Sequence, residues 1–478
     1  MSSFDPWTPN PLAGTGDIPP GALGVVLFPN RNGEGKYLWN RDNNNVAPRF
    51  GFAYRVKGLQ TSVVRGGFGI FYGNPYDREI IQQLKAGFGN VYRARSPVPY
   101  TLRQGPPPEA FADIPESELT PTYGNRGTRF EASQIQFLDR NRKTQYTINF
   151  NLTVQQQWRE VLFELGYLGN LGRQIVFPNI NLNHIPPELL SRTEIPERLR
   201  RPWTVFGSDQ PQIQILAPNW GLSNYHAFTL RTERRFRNGL SWVLAYTFSK
   251  WIDNCVFVGG DDATFGDDDQ IQNIYNLRNE RSRSTNSIPH RLVVSPLFDL
   301  PFGEGRRWLN RGGALTAVLG GWQISTIATI RSGAPFGVTV LNGPRDILGD
   351  QADGKILRPD IVGDPNAGVQ RGEPAPGIRG ISWFNPEVFR APARFTHGNV
   401  SRTVPGILGP GAVHFDSLLA KNFYFADRWR LQLRWETFNT FNTPEFGLPD
   451  QVLGGGGFGL VTTAGSRRIM QMGLKLYW

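Results

Sequence analysis

Three features of this sequence predict an all-β fold. The chain of 478 residues contains 54 glycines and 37 prolines, and aromatic residues make up 12% of it. Such a composition is typical of short strands joined by many turns. Several stretches alternate between apolar and polar residues, which is the period of a strand and not of a helix. No run of about 18 apolar residues occurs, and the mean hydropathy is −0.36, so no transmembrane helix is predicted.

The final segment, residues 466–478, has one apolar and one wet face if it forms a strand. The apolar face carries Met472, Leu474, Leu476 and Trp478, and the wet face carries Gly473, Lys475 and Tyr477. The last strand of any β-domain can be amphipathic in this way. A chain that ends on an indole nevertheless suits a strand that closes a membrane barrel, because its apolar face then meets lipid and its edge is paired.

Two other predicted strands carry a polar face that a dry core would not accept. The polar sets are Gln145, Thr147, Asn149 and Asn151 in one strand, and Arg430, Gln432, Arg434 and Glu436 in the other. The alternating apolar sets are Tyr146, Ile148, Phe150 and Leu152, and Trp429, Leu431, Leu433 and Trp435. Burying charged and amide groups without partners is unfavourable. We therefore expect the polar sets to face a watery lumen and the apolar sets to face lipid, in a transmembrane antiparallel β-barrel.

Taken in order, the chain contains about eleven such strands. Prolines and an asparagine-rich run interrupt residues 1–46, which we expect to be an irregular loop segment before a barrel domain at 47–478. The expected strands are 47–56, 60–73, 145–155, 161–173, 223–236, 240–252, 288–300, 321–333, 411–425, 429–441 and 466–478.

The connections between these strands alternate between short and long. Short turns fall at 57–59, 158–160, 237–239, 301–320 and 426–428, and long loops at 74–141, 174–222, 253–287, 334–410 and 442–466. Bacterial outer-membrane barrels place short turns in the periplasm and long loops outside the cell. The alternation therefore predicts long extracellular loops, with only 301–320 longer than a periplasmic turn should be. A short helix is expected within the first long loop, around 77–85.

The strand number predicts an incomplete barrel. Bacterial barrels of this kind have even strand numbers, and large ones have about 22 strands, so eleven strands would be the C-terminal half of such a barrel. Residues 1–20 also show no charged segment followed by an apolar one, which a secretory signal requires. We therefore expect the chain to be a fragment or a truncated gene product.

The charge of the chain does not indicate a nucleic-acid partner. The formal net charge is +11, but the arginines are scattered along the strands without a basic cluster interleaved with aromatic residues. The single cysteine, Cys255, excludes an internal disulfide.

No catalytic or metal-binding constellation is recognised, so we expect neither an enzyme nor a cofactor. The five histidines lack the spacing of metal ligands; they are His184, His226, His290, His397 and His414. The acidic stretch 261–269 could hold a hard cation, although a solvated acidic loop is the simpler interpretation. The glycine-rich run 65–73 continues as a strand instead of opening a helix, so we interpret its glycines as bends or close packing.

Several stretches, in their order along the chain, resemble the Oar-like group of TonB-dependent outer-membrane receptors. The matching stretches are 48–54, 64–72, 244–250, 438–447 and 465–478. The ending, with Gly473, Leu476 and Trp478, also resembles the signal that the barrel-assembly machinery reads. The resemblance implies a location in the Gram-negative outer membrane, contact with outer-membrane lipid, and an extracellular ligand that the sequence does not identify. It also implies TonB as a partner, through an N-terminal plug region that is missing from these residues.

The resemblance implies part of a receptor that binds a scarce extracellular ligand and imports it through a plugged barrel. The alternative is a non-transporting outer-membrane scaffold or adhesin, whose loops act without import. A soluble β-sandwich or propeller enzyme is a third interpretation. Such a fold requires both faces of its strands to be buried away from water, and the polar sets contradict this.

Overall fold

A single large antiparallel sheet dominates the computed structural model. The structure describes residues 3–10, 13–14, 20–27, 30, 35–37, 39–59, 61–73, 134–177, 179–203, 212–254, 271–311, 313–348, 356–375, 377, 379–425, 428–465 and 467–478. Eleven long strands follow one another across the sheet in chain order, each antiparallel to the next. We call these strands the wall. They are β1 (Arg49–Arg55), β2 (Ser62–Tyr72), β3 (Tyr146–Trp158), β4 (Val161–Ile175), β5 (Gly221–Arg237), β6 (Leu240–Asp253), β7 (His290–Asp299), β8 (Trp322–Arg331), β9 (Ala412–Phe425), β10 (Trp429–Phe438) and β11 (Ile469–Tyr477).

The wall confirms the all-β antiparallel prediction and each of the eleven expected strands, with small shifts at their ends. The largest differences are of three residues: β3 extends to Trp158 instead of 155, β11 begins at Ile469 instead of 466, and β10 ends at Phe438 instead of 441. The next residue, Asn439, has a φ of 51°, and a left-handed residue breaks the extended ladder. A two-residue strand, Ser282–Arg283, also pairs with β6.

The two ends of the wall differ in the length of their connections. At one end the strands are joined by residues 73–145, 176–220, 254–289, 332–411 and 439–468, and at the other by 56–61, 159–160, 238–239, 300–321 and 426–428. This alternation confirms the long and short connections expected from the sequence. The helix expected around 77–85 lies outside the described residues.

Shorter elements lie in the connections. The strands are Ser3–Pro9, Leu23–Leu27, Gln134–Phe137, Ile180–Asn181, Gln212–Ile215, Thr339–Val340, Asp360–Ile361, Ile381–Ser382, Phe389–Arg390, Glu445–Phe446, Val452–Leu453, Leu460–Val461 and Ala464–Gly465. The α-helices are Glu197–Arg200 and Ala314–Leu319, the 3₁₀ segments are Pro187–Leu189, Ile274–Glu280 and Pro386–Val388, and Pro344–Leu348 is a π-helical turn. No helix in the described ranges is long and apolar enough to cross a membrane.

The segment 1–46, expected to be irregular, contains one antiparallel pair of strands, Ser3–Pro9 and Leu23–Leu27. The prolines in the first strand argued against a regular element. The pair forms nevertheless, because Phe4 and Val25 are both buried. Phe4 packs in a hydrophobic cluster with residues far along the chain, and such distant contacts override local propensity.

The register shows which side chains share a face of the wall, because directly paired residues point the same way. One face runs from β3 to β9 through the paired residues Thr153, Gly166, Thr229, Thr247, Arg291, Arg331 and Ala412. Ala420 lies on this face of β9 and pairs with Arg434 of β10. The polar sets of β3 and β10 therefore lie on one side of the sheet, which we call the polar face, and the opposite side is the apolar face.

Glycines in the wall make room for neighbouring aromatic rings. A Cβ atom at Gly169 would clash with the ring of Phe150, and one at Gly66 would clash with the ring of Phe52. These rings lie across the glycines of the paired strands, at the positions Phe150↔Gly169 and Phe52↔Gly66. This geometry confirms close packing for the glycine-rich run, of which residues 65–72 lie within the strand Ser62–Tyr72.

Candidate functional site: the loop layer

The hydrophobic clusters of this protein lie beyond one end of the wall. We call the described residues of the five long connections, together with the described residues among 3–48, the loop layer. One cluster contains Phe4, Phe137, Phe177, Ile180, Leu182, Trp203, Ile213, Ile215 and Ile271; a second contains Phe336, Val338, Phe384, Phe389, Val400, Val404, Ile407 and Phe458; and a third contains Ile185, Leu190, Leu348 and Leu357. Each cluster joins segments that are distant in sequence, so the loop layer is a packed structure and not a set of separate loops.

A buried ion pair fastens two of the long connections together. The side chains of Arg358 and Glu280 are only 3% and 1% exposed. Arg358 Nη1 donates to Glu280 Oε2 at 2.8 Å, and Nη2 donates to Oε1. Gln272 supports the pair: its Oε1 accepts from the backbone N–H of Arg358 at 2.6 Å, and its Nε2 donates to the carbonyl of Gly398 at 2.8 Å. Two of the three guanidinium nitrogens of Arg358 are therefore paired with the carboxylate, as a buried charge requires.

A second ion pair fastens the loop layer to the wall. Arg402, in the connection 332–411, pairs with Asp253 at the end of β6. Its Nε also donates to the carbonyl of Glu280 at 3.4 Å. Burial lowers the pKa of Arg402 to about 10, because a desolvated guanidinium is less stable when charged. The side chain remains charged at neutral pH, so the pair persists there.

Beside the first ion pair lies a cavity of about 450 Å³, which we call the amide pocket. Its lining residues are Pro187, Gln272, Asn273, Asn276, Asn279, Glu280, Phe395, Thr396, His397, Gly398 and Asn399. Several of these amides hold the walls of the pocket, such as Asn279 Nδ2, which donates to the carbonyl of Val400 at 3.3 Å. Within the described residues, the side chains of Asn276 and His397 make no hydrogen bond. They are therefore available to a ligand.

His397 is uncharged in the amide pocket at neutral pH. Burial, assisted by the nearby His184 and Arg358, lowers the pKa of His397 to about 4. A neutral imidazole offers one N–H donor and one acceptor nitrogen. Glu280 is already neutralised by Arg358, so the pocket presents hydrogen-bonding groups and little net charge.

A second cavity, of about 390 Å³, has a charged lining; we call it the charged cavity. It is formed by Trp39, Asn40, Arg41, Asp42, Asn43, Leu138, Asp139, Arg142, Lys143, Thr144, Gln145, Val176 and Asn219. The backbone N–H of Thr144 donates to Asp42 Oδ2 at 2.7 Å. This bond, with help from Lys143, lowers the pKa of Asp42. Both cavities lie in the loop layer, but only the amide pocket is nearly uncharged.

The structure joins four of the eight predicted polar-set residues to neighbouring side chains of the wall by hydrogen bonds. Asn170 Nδ2 donates to Asn149 Oδ1 across β3 and β4. Arg434 Nε donates to Glu436 Oε1 at 2.8 Å, and Gln432 Nε2 donates to Asn422 Oδ1 at 3.0 Å. Thr147 and Asn151 share the face of Asn149 along β3, and Arg430 lies over the Tyr477 ring at 4.0 Å. Gln145 precedes β3 and lines the charged cavity instead.

The predicted apolar-set residues lie on the opposite face, and many of them are well exposed. Leu152, Leu433, Trp429 and Trp435 are all exposed by more than a third. Tyr146, Ile148, Phe150 and Leu431 are partly covered by their neighbours in the sheet. An apolar surface of this extent on a protein needs an apolar environment.

The residues of the expected assembly signal lie on and just beyond β11. Gly473 pairs with Arg434 on the polar face, and Leu476 pairs with Leu431 on the apolar face. Trp478 follows the strand and is 84% exposed. Within the described sheet, β11 has a partner only on the side of β10.

In the parts of the chain that the structure describes, the histidines belong to no cluster of three potential metal ligands. His226 lies 2.9 Å from the Tyr167 hydroxyl, and His290 lies 2.8 Å from the Tyr246 hydroxyl. His414 contacts Glu445 at 3.2 Å. The acidic stretch 261–269 and Cys255 lie outside the described residues.

Sequence reasoning missed the amide pocket. Its walls come from three different long connections, at residues 187, 272–280 and 395–399, which no local pattern joins. One signal was present: asparagine recurs at every third position, at 273, 276 and 279. That spacing is the period of a 3₁₀ helix. The structure forms 3₁₀ turns within Ile274–Glu280, but they are interrupted by a kink at Asn276, whose φ is −136° and ψ 61°.

Comparison with known proteins agrees with this architecture. Residues 1–471 match the family described as outer membrane beta barrel domain. No curated protein matches the sequence. Among solved structures, the chain is similar to the outer membrane transporter YddB from Escherichia coli, with 11% identity and a TM-score of 0.41 over 95% of this chain and 42% of that one.

Two further structures show similar values. FpvA of P. aeruginosa, bound to pyoverdines, is 9% identical with a TM-score of 0.37, over 90% of this chain and 32% of that one. The FrpB iron transporter from Neisseria meningitidis is 10% identical with a TM-score of 0.37. The match covers 91% of this chain and 39% of the transporter. The chain thus spans less than half the length of each structure. By the family match over nearly its whole length, this chain belongs to the outer membrane beta barrel domain family and is a protein of the Gram-negative outer membrane.

Proposed function

We propose that this chain forms part of the barrel wall of a TonB-dependent receptor, of the Oar-like group, that captures a scarce extracellular ligand and imports it. The observation that carries the proposal is the register of the eleven strands, which places the polar sets of β3 and β10 on one face and their apolar sets on the other, with the described parts of the long connections at one end. A large outer-membrane barrel with a wet lumen has this construction. The barrel-domain family match supports the same reading.

In this proposal the apolar face contacts outer-membrane lipid and the polar face lines the lumen. The exposed Leu152 and Leu433 would be covered by acyl chains. The hydrogen-bonded side chains of Asn149, Gln432 and Arg434 would meet water or passing ligand. The lumen-facing set also includes Thr147, Asn151, Arg430 and Glu436, and the lipid-facing set includes Tyr146, Ile148, Phe150, Leu431, Trp429 and Trp435.

The unpaired edges of the wall favour a complete barrel that has more strands than these eleven. Within the described sheet, β1 and β11 each have one neighbour, and they do not pair with each other. An open edge inside a bilayer leaves backbone N–H and C=O groups without partners, which is too costly to persist. We therefore propose that further strands complete the barrel at both edges. We also propose that Gly473, Leu476 and Trp478 direct the assembly of the barrel. TonB would act through a plug region beyond these residues.

The amide pocket is the proposed point of ligand capture. Asn276 and a neutral His397 offer donors and acceptors without charge, in a cavity of about 450 Å³. A neutral polar ligand, such as an oligosaccharide or an uncharged peptide, matches this chemistry. A charged ligand would lose hydration there without gaining an opposite charge.

The proposal can be tested by uptake. Cells that produce the receptor, and cells that lack it, are given tritiated neutral oligosaccharides and uncharged peptides, with and without a protonophore that removes the energy for TonB. We expect one probe to accumulate only in producing cells and only without the protonophore. The double variant Asn276→Ala/His397→Ala should lose binding, while His414→Ala, in β9, should retain it.

Two results would contradict the proposal. Binding at the cell surface without accumulation would favour a scaffold or adhesin whose loops act without import. Accumulation that continues in the presence of the protonophore would indicate a passive pore.

A further inference from the structure

The connection between β7 and β8 is unusually long for the end of the wall that carries short turns. It covers residues 300–321, whereas the other connections at that end have between two and six residues. Its location is fixed by the register: Trp322 begins β8 and pairs with Lys421, near the end of β9. The connection contains the helix Ala314–Leu319, which we call the rim helix.

The rim helix is fastened to the apolar face of the wall. Lys421 Nζ donates to the carbonyls of Ala317 at 2.7 Å and Val318 at 3.2 Å, and also to that of Gly320. The indole Nε1 of Trp322 donates to the carbonyl of Val318 at 2.8 Å. These bonds satisfy carbonyls at the C-terminal end of the helix, where a cation is also favourable.

The strand register shows on which face of the wall the Lys421 side chain lies. Lys421 pairs with Leu433, and Leu433 pairs with Leu474. Leu433 lies on the apolar face, so the side chains of Lys421 and Trp322 leave the wall on that face. The rim helix therefore lies outside the proposed lumen, on the surface that the proposed function assigns to lipid.

The rim helix exposes three apolar side chains. Leu315 is 68% exposed, Val318 is 63% exposed, and Leu319 is exposed by nearly half. A helix of six residues has too few internal hydrogen bonds to be stable in water by itself. Exposing three aliphatic side chains from such a helix is favourable only if an apolar phase receives them.

Basic and aromatic residues precede the rim helix in the same connection. Arg306, Arg307 and Arg311 are all exposed. Arg306 pairs with Asp299 at the end of β7 at 2.9 Å, and the Arg307 guanidinium lies 5.4 Å from the ring centre of Trp308. Basic residues beside an indole and an apolar helix are typical of a segment that lies in the interface of a membrane.

We propose that the rim helix is a membrane anchor, which inserts Leu315, Val318 and Leu319 into the periplasmic leaflet, while Arg307 and Arg311 bind acidic phospholipid headgroups. The proposal rests on the proposed function, because the apolar face must contact lipid for the helix to do so. Two observations select phospholipid as the occupant. The exposed side chains continue the apolar face of the wall, and the adjacent charges complement phosphate groups.

The depth of individual positions in a bilayer tests the proposal. The full receptor, with Cys255→Ser to remove the native thiol, receives a nitroxide at one of three sites: Leu315→Cys, Leu152→Cys or Glu304→Cys. It is reconstituted in phosphatidylethanolamine with phosphatidylglycerol, and collisions with oxygen and with a water-soluble nickel chelate are measured. We expect the Leu315 label to prefer oxygen, at a depth of roughly 5–10 Å, and the Glu304 label to prefer nickel.

The Leu152 label separates failure of this inference from failure of the proposed function. If Leu152 prefers oxygen while Leu315 prefers nickel, the wall spans the bilayer and the anchor is wrong. If both labels prefer nickel, the lipid assignment of the apolar face is itself wrong. Shielding of Leu315 that appears only after a periplasmic extract is added would identify a protein partner and would likewise overturn the anchor.

Two variants test the fastening and the headgroup contact. Lys421→Gln should make the Leu315 label more mobile and leave the Leu152 label unchanged, because the interactions lost lie around the helix and the strand ends next to it. Arg307→Gln/Arg311→Gln should place the Leu315 label closer to water in bilayers that contain phosphatidylglycerol. A depth that depends on neither the arginines nor phosphatidylglycerol would contradict the binding of acidic headgroups.

Discussion

The wall and the loop layer differ in where their apolar side chains lie. In the wall, Leu152 is 48% exposed and its neighbours on the apolar face are similarly open, whereas in the loop layer Phe384 is 1% exposed. The wall needs no core of its own if lipid covers one face and water the other. The loop layer stands outside the membrane in this arrangement, so it must bury its own apolar groups as a soluble protein does.

Their ion pairs differ in the same way. Arg231 and Glu233 on the polar face of β5 form a pair at 2.7 Å that solvent reaches, since the arginine is nearly half exposed. Arg358 and Glu280 in the loop layer are almost completely buried. An exposed pair contributes little to stability, whereas breaking a buried pair leaves a charge without solvent. Equivalent substitutions should therefore affect the two regions very differently.

The largest effect is expected from Phe384→Ala in the loop layer. The Phe384 ring lies 5.1 to 5.9 Å from the rings of Phe336, Phe389 and Phe458. Its removal leaves a cavity, and we expect opening of the loop layer to become easier by about 3–5 kcal/mol. Rates of limited proteolysis measure this opening. The control Phe423→Ala, on the open apolar face of β9, should have a much smaller effect; equal losses would show that the two regions do not differ in packing.

An effect of similar size is expected from Glu280→Gln. The substitution leaves the Arg358 guanidinium buried without its counter-charge, which costs about 3–5 kcal/mol for pairs of this kind. The matched control is Glu233→Gln, which breaks an exposed pair and should cost less than about 1 kcal/mol. Both can be measured by the same proteolysis, followed by identification of the first cleavage site. If the first cleavage site of Glu280→Gln does not shift into residues 271–289 or 356–411, the buried pair has no central role in holding these connections.

A smaller effect, confined to the wall, is expected from Leu152→Arg. A charge on the lipid-facing side near the middle of the bilayer costs about 2–4 kcal/mol. The adjacent Asn151→Arg points to the proposed lumen and should be tolerated. Folded barrels migrate differently from unfolded ones in unheated gels, so the folded fraction after urea treatment gives the comparison. Equal tolerance of both arginines would reject the assignment of the two faces.

The smallest effect is expected from pH, through His397. Its pKa in the folded loop layer is about 4, below its ordinary value of 6.5, because of burial. Above pH 6.5 the histidine is neutral in both states and has no effect. As the pH falls from 6.5 towards 4, the opened state takes up a proton that the folded state does not, so stability is progressively lost. We expect a loss of about 1–2 kcal/mol after allowance for partial exposure.

Hydrogen exchange of the loop layer, corrected for the intrinsic rate at each pH, measures this loss. The variant His397→Gln should have a flatter dependence of stability between pH 7.5 and 4.5. His226→Gln, on the wall, serves as the control and should leave the dependence unchanged. If His397→Gln retains the slope of the parent protein, another group is responsible.

Most of the wall could be predicted from the sequence, because strand alternation is a local property. The residues Tyr146 to Leu152 and Trp429 to Glu436 specify two faces by their own order, and the register joins the polar sets on one side as expected. The alternation of short and long connections followed from the strand positions alone. The strand ends were less certain, as at Asn439, where a left-handed residue ends β10 three residues early.

The sequence by itself therefore determined the all-β class, the order of the eleven strands and the division of β3, β10 and β11 into two faces. Only the tertiary structure decided the rest. Arg358 meets Glu280 across 78 positions of sequence, and Lys421 meets the rim helix across about a hundred. Such contacts depend on which loops pack together, and no local period encodes that choice. The amide pocket and the rim helix thus became visible only in the folded protein, because each is built from residues that the chain brings together over long distances.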